Sequence, residues 1–357
     1  MRLGVNGRFY GARTTGVQRF AREVTARLAA LEEVVLFIPS DVPAAGLPPE
    51  ARVVRGRLRG QAWEQVELPL AAWGRDLDLV LHPANAAPRF GPPGVVVLHD
   101  LTPLSHPSAY RSLYRTWVRL AHAAPAKRAH RVITVSDWSA GEIGRFLGIP
   151  AERISVVLQG AGPLDSPASP EAVADVRLRY GLPRPFFLAV GGGDPKKGGA
   201  FLRRVWRQVG SAAADLVAVG GTFGAVHTTG SETGAPLPLH GHVPDDDLRA
   251  LYTGSVALLF PSEAEGFGRP PLEALACGTR VVAAPYGPVA QVLGNAADVI
   301  PLDESLWVGR VRALLDEPPQ TRRARIEEGR RHAAGFSWDR AAARVARVCR
   351  DVVEGLP

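Results

Sequence analysis

Two glutamates eight positions apart, Glu265 and Glu273, bracket the run Gly266-Phe267-Gly268-Arg269-Pro270-Pro271. An apolar, strand-like segment, Ser255 to Phe260, leads into them, and Gly278 marks where the short helix carrying Glu273 should stop. Proline suits a first helical turn, because the amides there need no intrahelical partner and its φ is already helical. Gly-Phe-Gly lets bare backbone approach a ligand closely, and the amides at a helix start attract phosphate. Two carboxylates beside an anion site suit hydroxyl groups. A nucleotide sugar carries both, a diphosphate for the amides and sugar hydroxyls for the glutamates. Taken singly, Glu273 could instead complement the helix dipole and Glu265 could be a solvated loop residue.

Other segments pose similar choices. Gly191-Gly192-Gly193-Asp194-Pro195-Lys196-Lys197-Gly198 follows the strand-like Phe186 to Val190 and precedes a helix near Ala200. Such a loop either cradles a diphosphate or is a flexible turn with two solvated lysines. His99-Asp100 ends the strand-like Val95 to Leu98, a place where a lone histidine is more often structural than chemical. Thr14-Thr15-Gly16 opens a helix with Val17, Phe20, Val24 and Leu28 on one face; it can cap that helix or hold a phosphate or acceptor group. Asp245-Asp246-Asp247 looks like a metal-binding motif, but after Pro244 it reads better as an acidic helix start. No metal is expected there.

Arg111, Arg115 and Arg119 recur every fourth residue, with Tyr110, Leu113, Tyr114 and Trp117 on neighbouring faces. From Ser108 to Arg131 there are six Lys/Arg and no Asp/Glu. The segment Tyr110 to Arg131 could therefore lie on an anionic membrane surface, or pack by one face and solvate the other.

The elements that must position these groups alternate between strand and helix, the pattern of α/β layers with mainly parallel sheets. Strands are expected at Leu3 to Arg8, Val34 to Ile38, Val53 to Gly56, Leu79 to His82, Val95 to His99, Val132 to Val135 and Ile154 to Leu158. After a polar linker, Gly162 to Pro170, they resume at Phe186 to Val190, Leu216 to Val219, Leu237 to His240, Val256 to Phe260, Arg280 to Ala283 and Val299 to Leu302. Gly221 to Pro236 reads as a mobile loop. A last helix, Trp338 to Glu354, follows Phe336-Ser337-Trp338 and is capped by Ser337 or Asp339. The expected domains are 1–165, 166–335 and a C-terminal helix, 336–357.

With 357 residues, 46% hydrophobic and 22% charged, the chain suits two soluble domains with separate cores. Its apolar runs are too short to cross a bilayer, and Met1 to Asn6 reads as strand rather than leader. Cys277 and Cys349 alone support neither a disulfide framework nor a zinc site. A cytoplasmic protein is expected, with peripheral attachment at the inner membrane face left open. The net charge of +7 fits an anionic substrate or surface; without zinc-finger spacing or an RRM motif, nucleic acid is not expected.

These motifs resemble those of the retaining glycosyltransferases of family 4, which have the GT-B fold of two Rossmann-like domains, and the likeness runs over nearly the whole chain. In that family the first glutamate contacts the donor sugar and the second the ribose, roles that fall on Glu265 and Glu273, beside Gly266, Phe267 and Gly268. Lys197 takes the position of the phosphate-binding lysine. A fixed cation there would stabilise charge building on the leaving diphosphate. Some members carry an arginine near Gly191, so here Lys196 or Arg269 would supply the second charge. The resemblance puts Gly16 on a loop facing the donor across the cleft, Gly241 and Val243 at the nucleobase, His99 near the donor sugar, and Asp100 and Ser136 on the acceptor side. Trp63-Glu64-Gln65, Val135-Ser136-Asp137 and Gly160 match further family landmarks, and Phe-Ser-Trp leads into a helix that crosses back to the first domain.

The implied activity is metal-independent, cofactor-free, retaining transfer of a hexose from a nucleoside diphosphate sugar. The acceptor would be a hydroxyl of a glycan, a lipid-linked glycan or a small molecule. First-half landmarks resemble bacterial mannosyltransferases of surface-polysaccharide pathways, which puts GDP-mannose ahead of UDP-hexoses. A catalytically silent, sugar-nucleotide-binding subunit or sensor is the alternative, kept by Gly191 to Gly193 and Arg269.

Overall fold

Most strands are joined through helices, the connection that lets neighbouring strands pair in parallel. The computed structural model describes residues 1–107, 110–162, 164–191, 195–210, 214–220, 239–241, 243–285 and 287–355, with backbone only at 120, 195, 239 and 240. The glycines at 192–193, Asp194, the loop 221–236 and His242 therefore lie outside the described residues. The chain divides into two compact units, one of residues 1–105, 112–160 and 337–357, the other of 106–111 and 161–336.

In chain order the first stretch runs β1 (Arg2–Asn6), α1 (Gly16–Leu31), β2 (Glu33–Ile38), β3 (Arg52–Arg55), α2 (Gly60–Ala62), α3 (Leu68–Trp73), β4 (Leu79–His82), β5 (Gly94–Val97), α4 (Thr102–Ser105), α5 (Ser112–Val118), α6 (Ala124–Arg128), β6 (Arg131–Thr134), α7 (Asp137–Leu147) and β7 (Ile154–Val156). The second runs α8 (Pro170–Arg179), β8 (Phe186–Val190), α9 (Gly199–Val209), β9 (Asp215–Val219), β10 (Leu239–His240), α10 (Asp245–Gly254), β11 (Ala257–Phe260), α11 (Arg269–Ala276), β12 (Arg280–Ala283), α12 (Val289–Leu293), β13 (Asp298–Val299), α13 (Glu304–Leu315) and α14 (Pro319–Ala333). The last helix is α15 (Trp338–Val353).

The first unit has a parallel sheet in the order β3-β2-β1-β4-β5-β6-β7, and the second one in the order β10-β9-β8-β11-β12-β13. Chain direction across each sheet reverses between two neighbours, β1 and β4 in the first and β8 and β11 in the second. Open α/β sheets bind ligands beyond the carboxyl ends of strands at such points. The central strands are covered on both faces and are mostly apolar: Leu36, Val95 and Ile133 in one sheet, Phe187, Leu258 and Val281 in the other are fully buried, whereas the edge strand β3 is largely exposed. Strand β13 is shorter than expected because Pro301 has no N–H to continue a ladder.

Two helices of the first unit carry a proline inside the helical run, and both widen to accommodate it. Trp63–Glu67 is a π turn in which the Leu68 N–H donates to the Trp63 carbonyl, just before Pro69. Arg119–Ala123 is another, just before Pro125. Proline lacks the N–H an α-helix requires and clashes with the preceding turn, and a π bulge relieves both. The expected arginine stripe is broken at both ends: Arg111 precedes α5, and at Arg119 the turn widens. Tyr110 also leaves the proposed surface. It is buried, and its hydroxyl accepts from Lys196 Nζ at 2.9 Å.

Helix α15 belongs to the first unit and packs on α1; Val345, Ala346 and Cys349 of the one and Val24 and Leu28 of the other are buried. Ser337 is its cap, the hydroxyl oxygen accepting from Asp339 N–H at 3.1 Å. Asp339 instead pairs with Arg27 at 2.5 Å. Burial pushes the thiols of Cys277 and Cys349 up to about 12, which makes both inert at neutral pH. Gly160 has a structural reason: a Cβ there would lie 2.6 Å from the Trp338 backbone nitrogen. Gly160→Ala is expected to cost about 1–3 kcal/mol, read as a lower urea midpoint at unchanged slope. An unchanged midpoint would show that Trp338 can withdraw freely.

Candidate functional site

In the second unit, two loops leave the carboxyl ends of β8 and β11, at the point where chain direction reverses. The loop after β8 ends in Pro195-Lys196-Lys197, closes through Gly198 at φ 69°, and enters α9. A side chain at Gly198 would put Cβ 2.4 Å from the Pro261 carbonyl oxygen, so only glycine lets the two loops touch. They are tied by the Glu263 N–H, which donates to the Lys196 carbonyl at 2.7 Å. This brings Lys197 and Glu265, 68 residues apart, into an ion pair. The same Glu265 oxygen accepts from Ser262 Oγ at 2.7 Å, and the ammonium lies 5.1 Å from the centre of the Phe260 ring. Lys197 and Glu265 side chains are 16% and 13% exposed, enough for a ligand to reach them.

Gly191 stands where the family resemblance allows an arginine. Its φ is 86°, and a Cβ there would lie 3.3 Å from Lys197 Cγ. The glycine thus makes room for the lysine stem. Neither substitute cation is idle, since Lys196 donates to Tyr110 and Arg269 to Glu273.

Helix α11 starts from Gly268 at φ 95°, with Arg269, Pro270 and Pro271 as its first residues. The two prolines remove two of the amides that a helix start normally offers an anion, so any anion contact falls on the turn before it. Phe267 is buried, its ring 6.1 Å edge-on to Phe336, which turns the side chain into core. Glu273 is 5% exposed. One oxygen accepts from Arg269, and the other from the Tyr252 hydroxyl at 3.3 Å. Burial, then the neighbouring Glu273 charge, holds the Tyr252 phenol well above its usual range. Gly241 is exposed, its carbonyl accepting from the Gly220 N–H at 3.0 Å, and Val243 is buried.

Asp247 serves the fold. Both its oxygens accept from Arg179, at 2.7 and 2.6 Å, and one also from the Tyr180 hydroxyl. Arg179 holds its carboxyl below the usual range.

In the first unit, His99 is buried at the end of β5. Its N–H donates to Asn85 Oδ1 at 2.8 Å, and ring Nε2 lies 3.1 Å from the Pro83 carbonyl, which fixes a proton on Nε2. The ring meets Phe20 edge-on at 4.9 Å. Asp100 Oδ1 accepts from the Thr102 N–H at 3.0 Å. Ser136 is fully buried and caps α7, accepting from the Ser139 N–H at 3.1 Å. Gly16 is the first residue of α1; just before it, the Thr15 N–H donates to Gln18 Oε1 at 3.2 Å.

Sequence reasoning missed Ser262 and Tyr252, whose hydroxyls hold the two glutamates, and gave no hint of a polar cluster at the β1–β4 junction. There Asn6 Nδ2 donates to Glu64 Oε1 at 2.9 Å and faces His82 Nδ1 at 3.4 Å, while Arg8 pairs with the other Glu64 oxygen. Burial lowers His82 to about 3 and, helped by His99 against the pull of Asp100, His122 to about 4. Both are neutral in the fold, whereas free histidine takes a proton near 6.5. The unfolded chain therefore binds more protons below that pH, and stability falls as pH drops from about 6.5 toward 4, by up to about 1.4 kcal/mol per unit and group. Urea midpoints at pH 7.5 and 5 should differ accordingly, and His122→Phe should shrink the difference; equal midpoints would refute it.

Residues 14–161 match the family model described as Glycosyltransferase Family 4, and residues 182–332 that described as Glycosyl transferases group 1. The chain is 26% identical to the O-antigen chain mannosyltransferase B of Escherichia coli over 91% of its length and 93% of that protein. It is 28% identical to the O-antigen chain mannosyltransferase RfbU of Salmonella typhimurium over 62% of its length, spanning 61% of that protein. Among solved structures, the sucrose-phosphate synthase of Thermosynechococcus elongatus matches at TM-score 0.75 and 20% identity over 99% of both chains. The Anabaena HepE protein, in complex with UDP and glucose, matches at 0.72 and 18% over 97% of this chain and 98% of that one. These likenesses establish the GT-B fold.

Proposed function

The chain belongs to the glycosyltransferases that join a Family 4 domain to a group 1 domain, and on that premise we propose that its second unit binds a nucleoside diphosphate sugar and that the chain transfers the sugar with retention. The observation that carries this reading is the Lys197–Glu265 pair beyond β8 and β11. An ammonium held beside a carboxylate at a strand-end crevice can meet a diphosphate with one partner and sugar hydroxyls with the other. Lys197 shifts toward the diphosphate as charge develops on it, and Glu265, steadied by Ser262, orients the sugar. Glu273 takes the ribose, for which Arg269 must share its carboxylate. The bond from the anomeric carbon to the diphosphate breaks, and an acceptor oxygen bonds that carbon on the same face. The acceptor's proton passes to the diphosphate oxygen, so no side chain need act as base, and no metal is required.

Asp100 and the end of β5 are assigned to the acceptor side, with His99 supporting sugar transfer. The mannosyltransferase names of the relatives support GDP-mannose as donor and a surface glycan as acceptor; the UDP in the HepE structure keeps UDP-hexoses in the test. A cytoplasmic setting fits such a donor. Among the described residues no helix is long and apolar enough to cross a membrane.

The test is thermal stability against GDP, UDP, ADP, dTDP and their sugars without metal. A ligand at a hundred times its Kd should add about 2.7 kcal/mol. One nucleotide should stand out; no response from any would remove the donor site. Binding without hydrolysis or transfer, whatever acceptor is supplied, would point to a silent subunit.

A further inference from the structure

Helices α3 and α6 lie over the sheet of the first unit and leave a cavity of about 300 Å³ between them, near the lower end of small-ligand pockets. The prolines that widen these helices, Pro69 and Pro125, line it, with Leu68, Ala72, Phe90 and Val96. His82 lines it as well, 5% exposed.

The tautomer of His82 follows from its neighbours. The Asn6 amide is oriented by donating to Glu64, so its NH2 faces His82 Nδ1, which must accept. A neutral ring then carries its proton on Nε2. That N–H makes no hydrogen bond among the described residues, and the ring lines the cavity. It points toward Gly94, where a Cβ would stand 3.4 Å from Nε2. A Cβ at Gly94 would also stand 3.2 Å from the Val80 carbonyl oxygen, so the glycine serves the β4–β5 pairing as well as leaving space beside Nε2. The Gly94 carbonyl accepts from the His130 N–H at 2.9 Å, so His130 and Arg128 line the same end. Both are exposed, and neither has a carboxylate partner among the described residues.

We propose that this cavity is a second binding site, for the phosphate monoester of an apolar alcohol. The phosphate accepts from His82 Nε2–H and is paired with the Arg128 guanidinium, with the His130 ring beside it as a further donor, while the chain lies along Leu68, Ala72 and Val96. The site is independent of the donor reading, since none of its residues belongs to the Lys197–Glu265 crevice. The same chemistry comes from a prenyl phosphate or from a straight-chain phosphatidic acid, a membrane lipid whose phosphate is likewise a monoester.

Isothermal titration calorimetry of the intact protein would use farnesyl phosphate and dodecyl phosphate below micelle formation, against inorganic phosphate and dodecyl maltoside. One-to-one binding of an alkyl phosphate, at least about tenfold tighter than either control, is expected. Replacing Arg128 and His130 together by alanine should weaken it about tenfold, and Ala72→Phe, which fills the cavity, should abolish it without changing nucleotide binding. Preference for farnesyl phosphate would identify a prenyl phosphate as the source, and preference for dodecyl phosphate a membrane lipid. No saturable binding, or binding untouched by the exposed double substitution, would overturn the proposal even if Ala72→Phe failed to fold.

Discussion

Glu265→Ala should lower sugar transfer by about 10²–10³-fold in kcat, the usual cost of removing one group aimed at a developing charge or reacting sugar. The fold should survive the change, because Glu265 is not walled in. Its partner Lys197 keeps the face of the Phe260 ring and is partly solvated. Lys197→Ala should lose kcat to a similar degree but also bind the nucleoside diphosphate more weakly, since the ammonium meets the diphosphate before and during bond cleavage. Glu265→Gln separates charge from contact: it can still accept from Ser262 but no longer balances Lys197, and should recover part of the loss. Single-turnover transfer and nucleotide titration on the three variants, checked against thermal stability, would read these effects. Transfer by Glu265→Ala within twofold of the unsubstituted protein would sink the assignment. So would a loss that simply tracks instability.

The candidate residues were legible because their types and spacing are local facts. Glu265, the Gly-Phe-Gly turn and Glu273 fall within one strand–turn–helix step, and Lys197 follows a strand by a few residues. The partnerships were not legible, because they depend on where the chain returns. Nothing in the spacing of Lys197 and Glu265 says that Gly198 lets the two loops touch, or that Tyr110 reaches Lys196. Gly191 looked like a lost arginine and is instead room for a lysine stem, a distinction that only side-chain volume in three dimensions makes. Phe267 was read with its backbone as a donor contact, and its ring proved to be core. The parallel sheets were legible in outline, since buried strands are apolar along their whole length. The π turns before Pro69 and Pro125 were not, because proline in a helical pattern signals a kink without saying how the chain absorbs it.

Glu273 offers the sharper division between a structural and a ligand-binding role. Its carboxylate is buried against Arg269, whose Nε has no partner among the described residues, and against the Tyr252 hydroxyl. Removing one member of such a pair strands the other, so Glu273→Ala should destabilise the second unit by about 3–5 kcal/mol. It should also weaken nucleotide binding, though instability alone could do that. The double variant Arg269→Leu, Glu273→Gln resolves the two effects: no charge remains to be stranded, and a buried pair replaced by groups of similar volume is often close to neutral. Stability should therefore return. Nucleoside diphosphate affinity should stay at least about tenfold down, because an amide accepts ribose hydroxyls less strongly than a carboxylate. If affinity returns together with stability, Glu273 serves only the helix and its arginine, and the ribose contact must be sought elsewhere. A single Arg269→Leu change completes the cycle. If Arg269 competes with ribose, nucleotide binding should tighten in that variant even as stability falls, an opposition of signs that a purely structural pair cannot produce.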